Sequence, residues 1–154
     1  MALLETRPCW QCGYCHTVVC PESAASAGVR VLGDSARQCP VCARPLLAAV
    51  MDDRYRLETC PQCKGILLGL PVFAATVMGK RHAAATPLRA PTPADDRELQ
   101  RRVACPSCQI QMITDWYYGP GNIVIDRCET CALVWLDAGE LQRAIEAPGP
   151  DRPA

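Results

Sequence analysis

Cysteine is the residue type in this chain whose number and spacing carry chemistry: 12 of 154 residues are cysteine. C-x-x-C spacing occurs at Cys9/Cys12, Cys12/Cys15, Cys39/Cys42, Cys60/Cys63, Cys105/Cys108 and Cys128/Cys131. Two thiolates held that close form one edge of a tetrahedron, and two such pairs complete a closed four-sulfur site of the kind zinc takes. The competing use of so many thiols is a disulfide framework, which needs an oxidising compartment. The N-terminus, MALLETRPCW, has neither the basic start nor the apolar run of a secretory leader. A cytoplasmic location with reduced thiols is therefore expected, and metal ligation is the chemistry expected of them.

The pairs recur as an internal repeat. CPVC at 39–42 and CPQC at 60–63 match CPSC at 105–108 and CETC at 128–131. The segments after each second pair match too, since KGILLGLPVFAATVM (64–78) aligns with ALVWLDAGELQRAIE (132–146) without a gap. Leu68 falls on Leu136, Phe73 on Leu141 and Val77 on Ile145. Cys39, Cys42, Cys60 and Cys63 are therefore expected to share one ion, and Cys105, Cys108, Cys128 and Cys131 another. A different partition, in which Cys12/Cys15 closes a site with Cys39/Cys42, is left open by the spacing alone.

Something must bring each pair of pairs together. In the second copy IQMITDWYY alternates, placing Ile110, Met112, Thr114, Trp116 and Tyr118 on one face; GPGN supplies a turn and IVIDR returns to Cys128. In the first copy LLAAVM, a turn at Asp52-Asp53 and RYRLET do the same. A lone hairpin is marginal in water, and an ion gripped at its end makes it stable. After the second hairpin a helix is expected from Asp137, with Asp137 and Glu140 as a capping box and Leu141 and Ile145 facing inward. In the first copy Pro71 stands at the expected helix start. The fold class is a small metal-stabilised α+β arrangement of tandem zinc ribbons, each a β-hairpin plus a short C-terminal helix, joined by a flexible linker.

Residues 104–146, with CPSC, DRCETC and the tail Trp135, Leu136, Asp137, Gly139, Glu140, Leu141, resemble the transcription-factor-IIB-type zinc ribbon. Residues 38–79 resemble it less closely, with Leu67 in place of the Trp and Gly69 in place of the capping Asp. The resemblance implies zinc at the four cysteines of each copy and carries no implication of activity. In the general transcription factor for which the family is named, the ribbon engages RNA polymerase.

The N-terminal cysteines, Cys9, Cys12, Cys15 and Cys20, follow C-x2-C-x2-C-x4-C-P. That is one residue longer than the ferredoxin run that ligates a [4Fe–4S] cluster. The zinc-type knuckles elsewhere favour a further zinc, giving two to three Zn2+ per chain, with [4Fe–4S] as the alternative.

These observations give a four-cysteine zinc-knuckle segment over 1–37, a first ribbon over 38–79 and an Ala/Pro/basic linker with a short helix over 80–103. A second ribbon over 104–146 and a tail over 147–154, expected to be disordered, complete the chain. The apolar stretch ILLGLPVFAATVM (66–78) is too short to cross a membrane and Pro71 interrupts it. Lys and Arg total 16 against 16 Asp and Glu, so no concentrated basic face for nucleic acid is apparent. Every site can be closed by thiolates, and no paired carboxylates, Ser/His set or phosphate loop appears. The expectation is a binding protein rather than an enzyme, without catalytic residues or a small-molecule substrate. A protein partner is favoured over nucleic acid, and electron transfer through the N-terminal group is the alternative. Trp116 and Tyr117, beside the second turn, are the candidates for partner contact. Trp116 is expected to pack on Trp135, which leaves Tyr117 as the more exposed ring.

Overall fold

The computed structural model describes residues 28–83, 95–117 and 122–147, with three short strands in the first 20 residues given by their backbone alone. Those strands, β1 (Ala2–Leu3), β2 (Trp10–Gln11) and β3 (Val18–Val19), form an antiparallel sheet with Leu3 opposite Trp10 and Trp10 opposite Val19. Cys9, Cys12, Cys15 and Cys20 lie outside the described residues. The chain divides into two compact units, Met1–Lys64 and Gly65–Ala154.

In the first unit β4 (Val29–Gln38), β5 (Pro45–Met51) and β6 (Tyr55–Thr59) form an antiparallel meander. The β5–β6 hairpin turns on Asp52 and Asp53, whose φ values of 53° and 52° give the turn a twist that matches the strands. Aspartate tolerates that left-handed backbone better than most residues. The hairpin expected from the sequence is thus present, and the strand β4 alongside it is an addition. β4 pairs irregularly, with register shifts between Val31 and Gly33 and between Asp34 and Gln38. Val31, Leu46, Ala49, Met51 and Leu57 are buried in this meander.

The second unit contains β7 (Ile66–Gly69), α1 (Leu70–Ala83) and a 3-10 turn at Asp96–Gln100. It continues with β8 (Ile113–Trp116), β9 (Val124–Cys128), β10 (Leu133–Leu136) and α2 (Glu140–Glu146). The strands lie in the order β7-β10-β9-β8, every neighbour antiparallel. Segment 66–83, aligned in sequence as the tail of the first ribbon, therefore belongs with the second. Helix α1 also runs through residues 80–83, which the sequence assigns to a linker. Asp95 caps the 3-10 turn by accepting a 3.0 Å hydrogen bond from Arg97 N, where a short helix is expected.

The pairing of β7 with β10 has a symmetry of its own. Leu67 and Trp135 occupy the same position in the two repeats, and they are also cross-strand partners. Ile66 faces Leu136 and Leu68 faces Val134, so each strand sees the other as the other sees it. Strands β7 and β10 are thus related by a local two-fold axis through the Leu67–Trp135 pair. Around it Leu68, Phe73, Val77, Leu136, Leu141 and Ile145, the apolar residues matched in the repeat, are all buried. Arg81 closes the arrangement by donating from Nη1 to the carbonyls of Ala144 at 3.1 Å and Ala147 at 2.6 Å. A cation there suits both the orphan carbonyls and the negative end of α2.

The start of α2 differs from the expected cap. Gly139, at φ 83°, is the N-cap and makes no side-chain cap bond. Half the capping box survives, since Glu140 Oε2 accepts from Asp137 N at 2.7 Å. The Asp137 carboxylate is used elsewhere, accepting from Trp135 Nε1 at 3.1 Å and from Arg101.

Candidate metal centres

Each metal centre is built from two knuckles with one backbone design. The residue after each second cysteine, namely Ala43, Lys64, Gln109 and Ala132, has φ of 57°, 63°, 63° and 50°. The turn is closed by Ala43 N→Cys39 O at 3.0 Å, Lys64 N→Cys60 O at 3.0 Å and Gln109 N→Cys105 O at 2.9 Å. This fold of the chain points main-chain N–H groups at the sulfurs, as in Val41 N→Cys39 Sγ at 3.4 Å, Cys63 N→Cys60 Sγ at 3.5 Å and Ser107 N→Cys105 Sγ at 3.4 Å. None of the four left-handed positions is glycine, so each carries a steric cost of about 1 kcal/mol. Ala43 is exposed and contributes little by packing. Ala43→Gly is accordingly expected to stabilise the metal-loaded first unit by roughly 0.5–1 kcal/mol, read as a shift in denaturation midpoint at constant metal content.

The sulfurs converge as the sequence predicts. The four thiols of Cys39, Cys42, Cys60 and Cys63 lie within 4.8 Å of one another, and so do those of Cys105, Cys108, Cys128 and Cys131. Zinc–sulfur bonds of about 2.3 Å put tetrahedral sulfurs about 3.8 Å apart. The observed Cys39–Cys63, Cys42–Cys60 and Cys108–Cys128 separations of 3.5, 3.4 and 3.6 Å fit that edge. In each group the first cysteine of a pair is buried and the second half-exposed. The donor set, the spacing and the inward N–H groups all suit a zinc ion held by four thiolates. Among the described residues the partition of cysteines is the one the repeat implies, and Cys12 and Cys15, the alternative partners of Cys39/Cys42, lie outside them.

The thiols differ in how readily they lose a proton. The main-chain N–H of Arg44 lowers Cys42 to about 7, and that of Ile110 lowers Cys108, its counterpart. Burial pushes Cys39 and Cys128 up, and the hydrogen shared with Cys108, followed by burial, raises Cys131 to about 12. Cys42 and Cys108 therefore ionise more readily than an ordinary thiol, while Cys39, Cys128 and Cys131 hold their protons more tightly than one. Metal uptake must release protons.

Beside the second centre lies an ion-pair cluster that the sequence did not signal. Asp126 is 2 % exposed and accepts from Arg101 Nη2 at 2.5 Å and from Thr114 Oγ1 at 2.5 Å. Arg101 also pairs with Asp137. Burial opposes the charge on Arg101, and the Asp137 and Asp126 carboxylates hold it protonated. Arg101, which the sequence places in a basic linker, is thus a strut between the 3-10 turn, β9 and the start of α2.

Glu140, 3 % exposed in the same region, is raised by burial to about 7 from 4.5. A carboxyl that holds its proton more tightly when folded favours the fold at low pH, and that contribution is lost as pH rises from about 4.5 to about 7. Glu140→Gln keeps an acceptor for Asp137 N and removes this slope. The variant should exceed the parent in stability at pH 8 by about 1–3 kcal/mol, with the difference shrinking toward pH 5.5. Denaturation of both zinc-loaded proteins across that range measures it.

The candidate contact residues are placed as follows. Trp116 is half-buried in β8. Tyr117 is also half-buried, and its ring meets Phe73 edge-on with centroids 4.9 Å apart. Trp135, fully buried, lies against Gly65. Ile110, placed by the alternation on one face with Met112, is 54 % exposed, whereas Met112 is buried; Ile110 lies outside β8, directly after the left-handed Gln109 that closes the knuckle. No helix among the described residues is long and apolar enough to cross a membrane.

Comparison with known proteins gives one match. No curated protein and no solved structure matches the chain. Residues 104–147 match the model of the transcription factor zinc-finger family, the zinc ribbon of transcription-factor-IIB type. The match covers the second centre, its hairpin and α2, while the first centre rests on its own four cysteines and their geometry.

Proposed function

We propose that this chain is a zinc-stapled interaction module that acts by binding a protein partner in a process linked to transcription. The observation that carries this reading is the closed geometry of both centres, where four thiols meet within 4.8 Å and leave no corner for substrate or water. Such an ion crosslinks a hairpin and performs no reaction. The description of the matched family supports the link to transcription. A protein is favoured over nucleic acid because basic side chains of the second unit are already engaged. Arg81 holds the end of α2, Arg97 holds Asp95 and Arg101 holds Asp126 and Asp137. The location consistent with free thiolates is the cytoplasm.

The test begins with metal analysis of protein purified without air. Two to three zinc per chain in a colourless sample supports the reading. Iron and sulfide in a brown sample would assign Cys9, Cys12, Cys15 and Cys20 to a cluster and make redox sensing the function. Covalent crosslinking of the zinc-loaded chain in cells, followed by mass spectrometry, then identifies partners. Recovery of nucleic acid with a steep salt dependence, and of no protein, would overturn the choice of partner class.

A further inference from the structure

The two copies differ in what lies along the outer edge of their hairpins. In the first copy that edge is β5, and β4 pairs with it from Val29 opposite Met51 to Gln38 opposite Pro45. The second copy begins the same way. The bridge between Ala104 and Gln111 falls on the positions of Gln38 and Pro45, and Met112 N donates to Val103 O at 2.9 Å. There the likeness stops. Residues 95–100, aligned with 29–34, read DDRELQ in place of VRVLGD. The β-branched residues are gone, Asp95 stands as a cap, and the segment coils into the 3-10 turn.

The edge of β8 is consequently left without a strand among the described residues. Met112 N points outward to Val103, and Tyr117 N points inward to Ile123 O at 2.9 Å. Alternation along an antiparallel strand then turns the main-chain groups of Thr114 and Trp116 outward. Among the described residues no main-chain group pairs with either; Thr114 reaches Arg101 O through its hydroxyl at 3.3 Å. Flanking this edge, Ile113 is 39 % and Ile110 54 % exposed, whereas Leu47, the counterpart of Ile113 under β4, is half-buried.

We propose that the β8 edge is the docking site for an extended segment of the protein partner, which adds antiparallel to β8 as β4 adds to β5. This rests on the binding reading above and specifies its surface. The covered edge in the first copy shows the chemistry of the occupant: alternating β-branched residues such as Val29 and Val31, free N–H groups and no proline at the bonding positions. Main-chain bonds to Thr114 and Trp116 supply attachment, and an apolar side chain over Ile113 supplies selectivity.

The test uses the full zinc-loaded chain and a synthetic peptide with the sequence of residues 29–38. Amide shifts and slowed hydrogen exchange are expected at Thr114 and Trp116. N-methylation of alternate peptide residues, and separately Ile113→Lys, should each weaken binding about tenfold or more without loss of zinc, since a charge or a missing donor blocks an edge. Absence of shifts, shifts confined to other residues, or unchanged binding to the Ile113→Lys protein overturns the proposal. A peptide-free dimer that protects the same two amides also overturns it, giving the edge to a second copy of the chain. None of these outcomes bears on the crosslinking experiment, so the module reading stands or falls separately.

Discussion

Replacing Cys128 by serine is expected to release one zinc ion per chain and to unfold far more than the hairpin that holds it. Cys128 is the buried end of β9 and meets Cys108 at 3.6 Å. A serine hydroxyl is a poor zinc ligand, and a structural zinc site contributes on the order of 10 kcal/mol to its module. Without the ion, β8, β9 and β10 have only a small core. The loss does not stop there, because β7 pairs with β10 and α1 packs on α2. Residues 66–83 should therefore lose their structure with 104–147, whereas the centre at Cys39, Cys42, Cys60 and Cys63 keeps its metal. Metal content and backbone amide dispersion measure both parts. Unchanged metal content would sink the ligand assignment, and an intact α1 would sink the pairing.

The second large effect comes from a single methyl group. A Cβ on Gly65 would stand 2.7 and 2.8 Å from Cη2 and Cε2 of Trp135, and nearer still to Cζ2. The ring has nowhere to go: it is fully buried and its Nε1 is fixed to Asp137. Gly65→Ala should cost about 3 kcal/mol, at the upper end of overpacking effects. The repeat suggests the remedy. The positions aligned with Trp135 and Gly65 are Leu67 and Leu133, so the first copy's tail sets a small residue and a medium one where the second sets a medium and a large one. Trp135→Leu in the Gly65→Ala background should restore part of the loss even though Trp135→Leu alone is destabilising. Chemical denaturation of the four zinc-loaded proteins gives the coupling energy. Independent, additive effects would show that the Gly65 and Trp135 sites do not meet.

Much of this was legible in the sequence, for physical reasons. Zinc chemistry restricts ligand type and spacing so tightly that the two four-cysteine groups follow from C-x-x-C pairs and their repeat. The Asp52-Asp53 turn and the six matched apolar residues were legible because turn chemistry and periodicity are local signals. The features that were missed are non-local. ILLG and LVWL are short continuous apolar runs, which mark burial without naming the partner strand, so the β7–β10 pairing could not be anticipated. The strand β4 was hidden by Gly33 and by two register shifts that interrupt its alternation. Asp137 reads as a helix cap, and its carboxylate was drawn instead to Trp135 and to Arg101, 36 residues away in sequence. No local pattern distinguishes such an arginine from a solvated one.

The local two-fold axis through Leu67 and Trp135 has a consequence for how the protein responds to dilution. A self-complementary joint of this kind normally forms between two identical chains, and mass action then governs how much of it exists. Here both halves are carried by one chain, so closure is intramolecular and its effective concentration is fixed by the intervening segment. A cell can make this protein scarce without taking the joint apart. Its two sides were also freed from the requirement to be identical, and the tryptophan on one side against the leucine on the other shows that they have used that freedom.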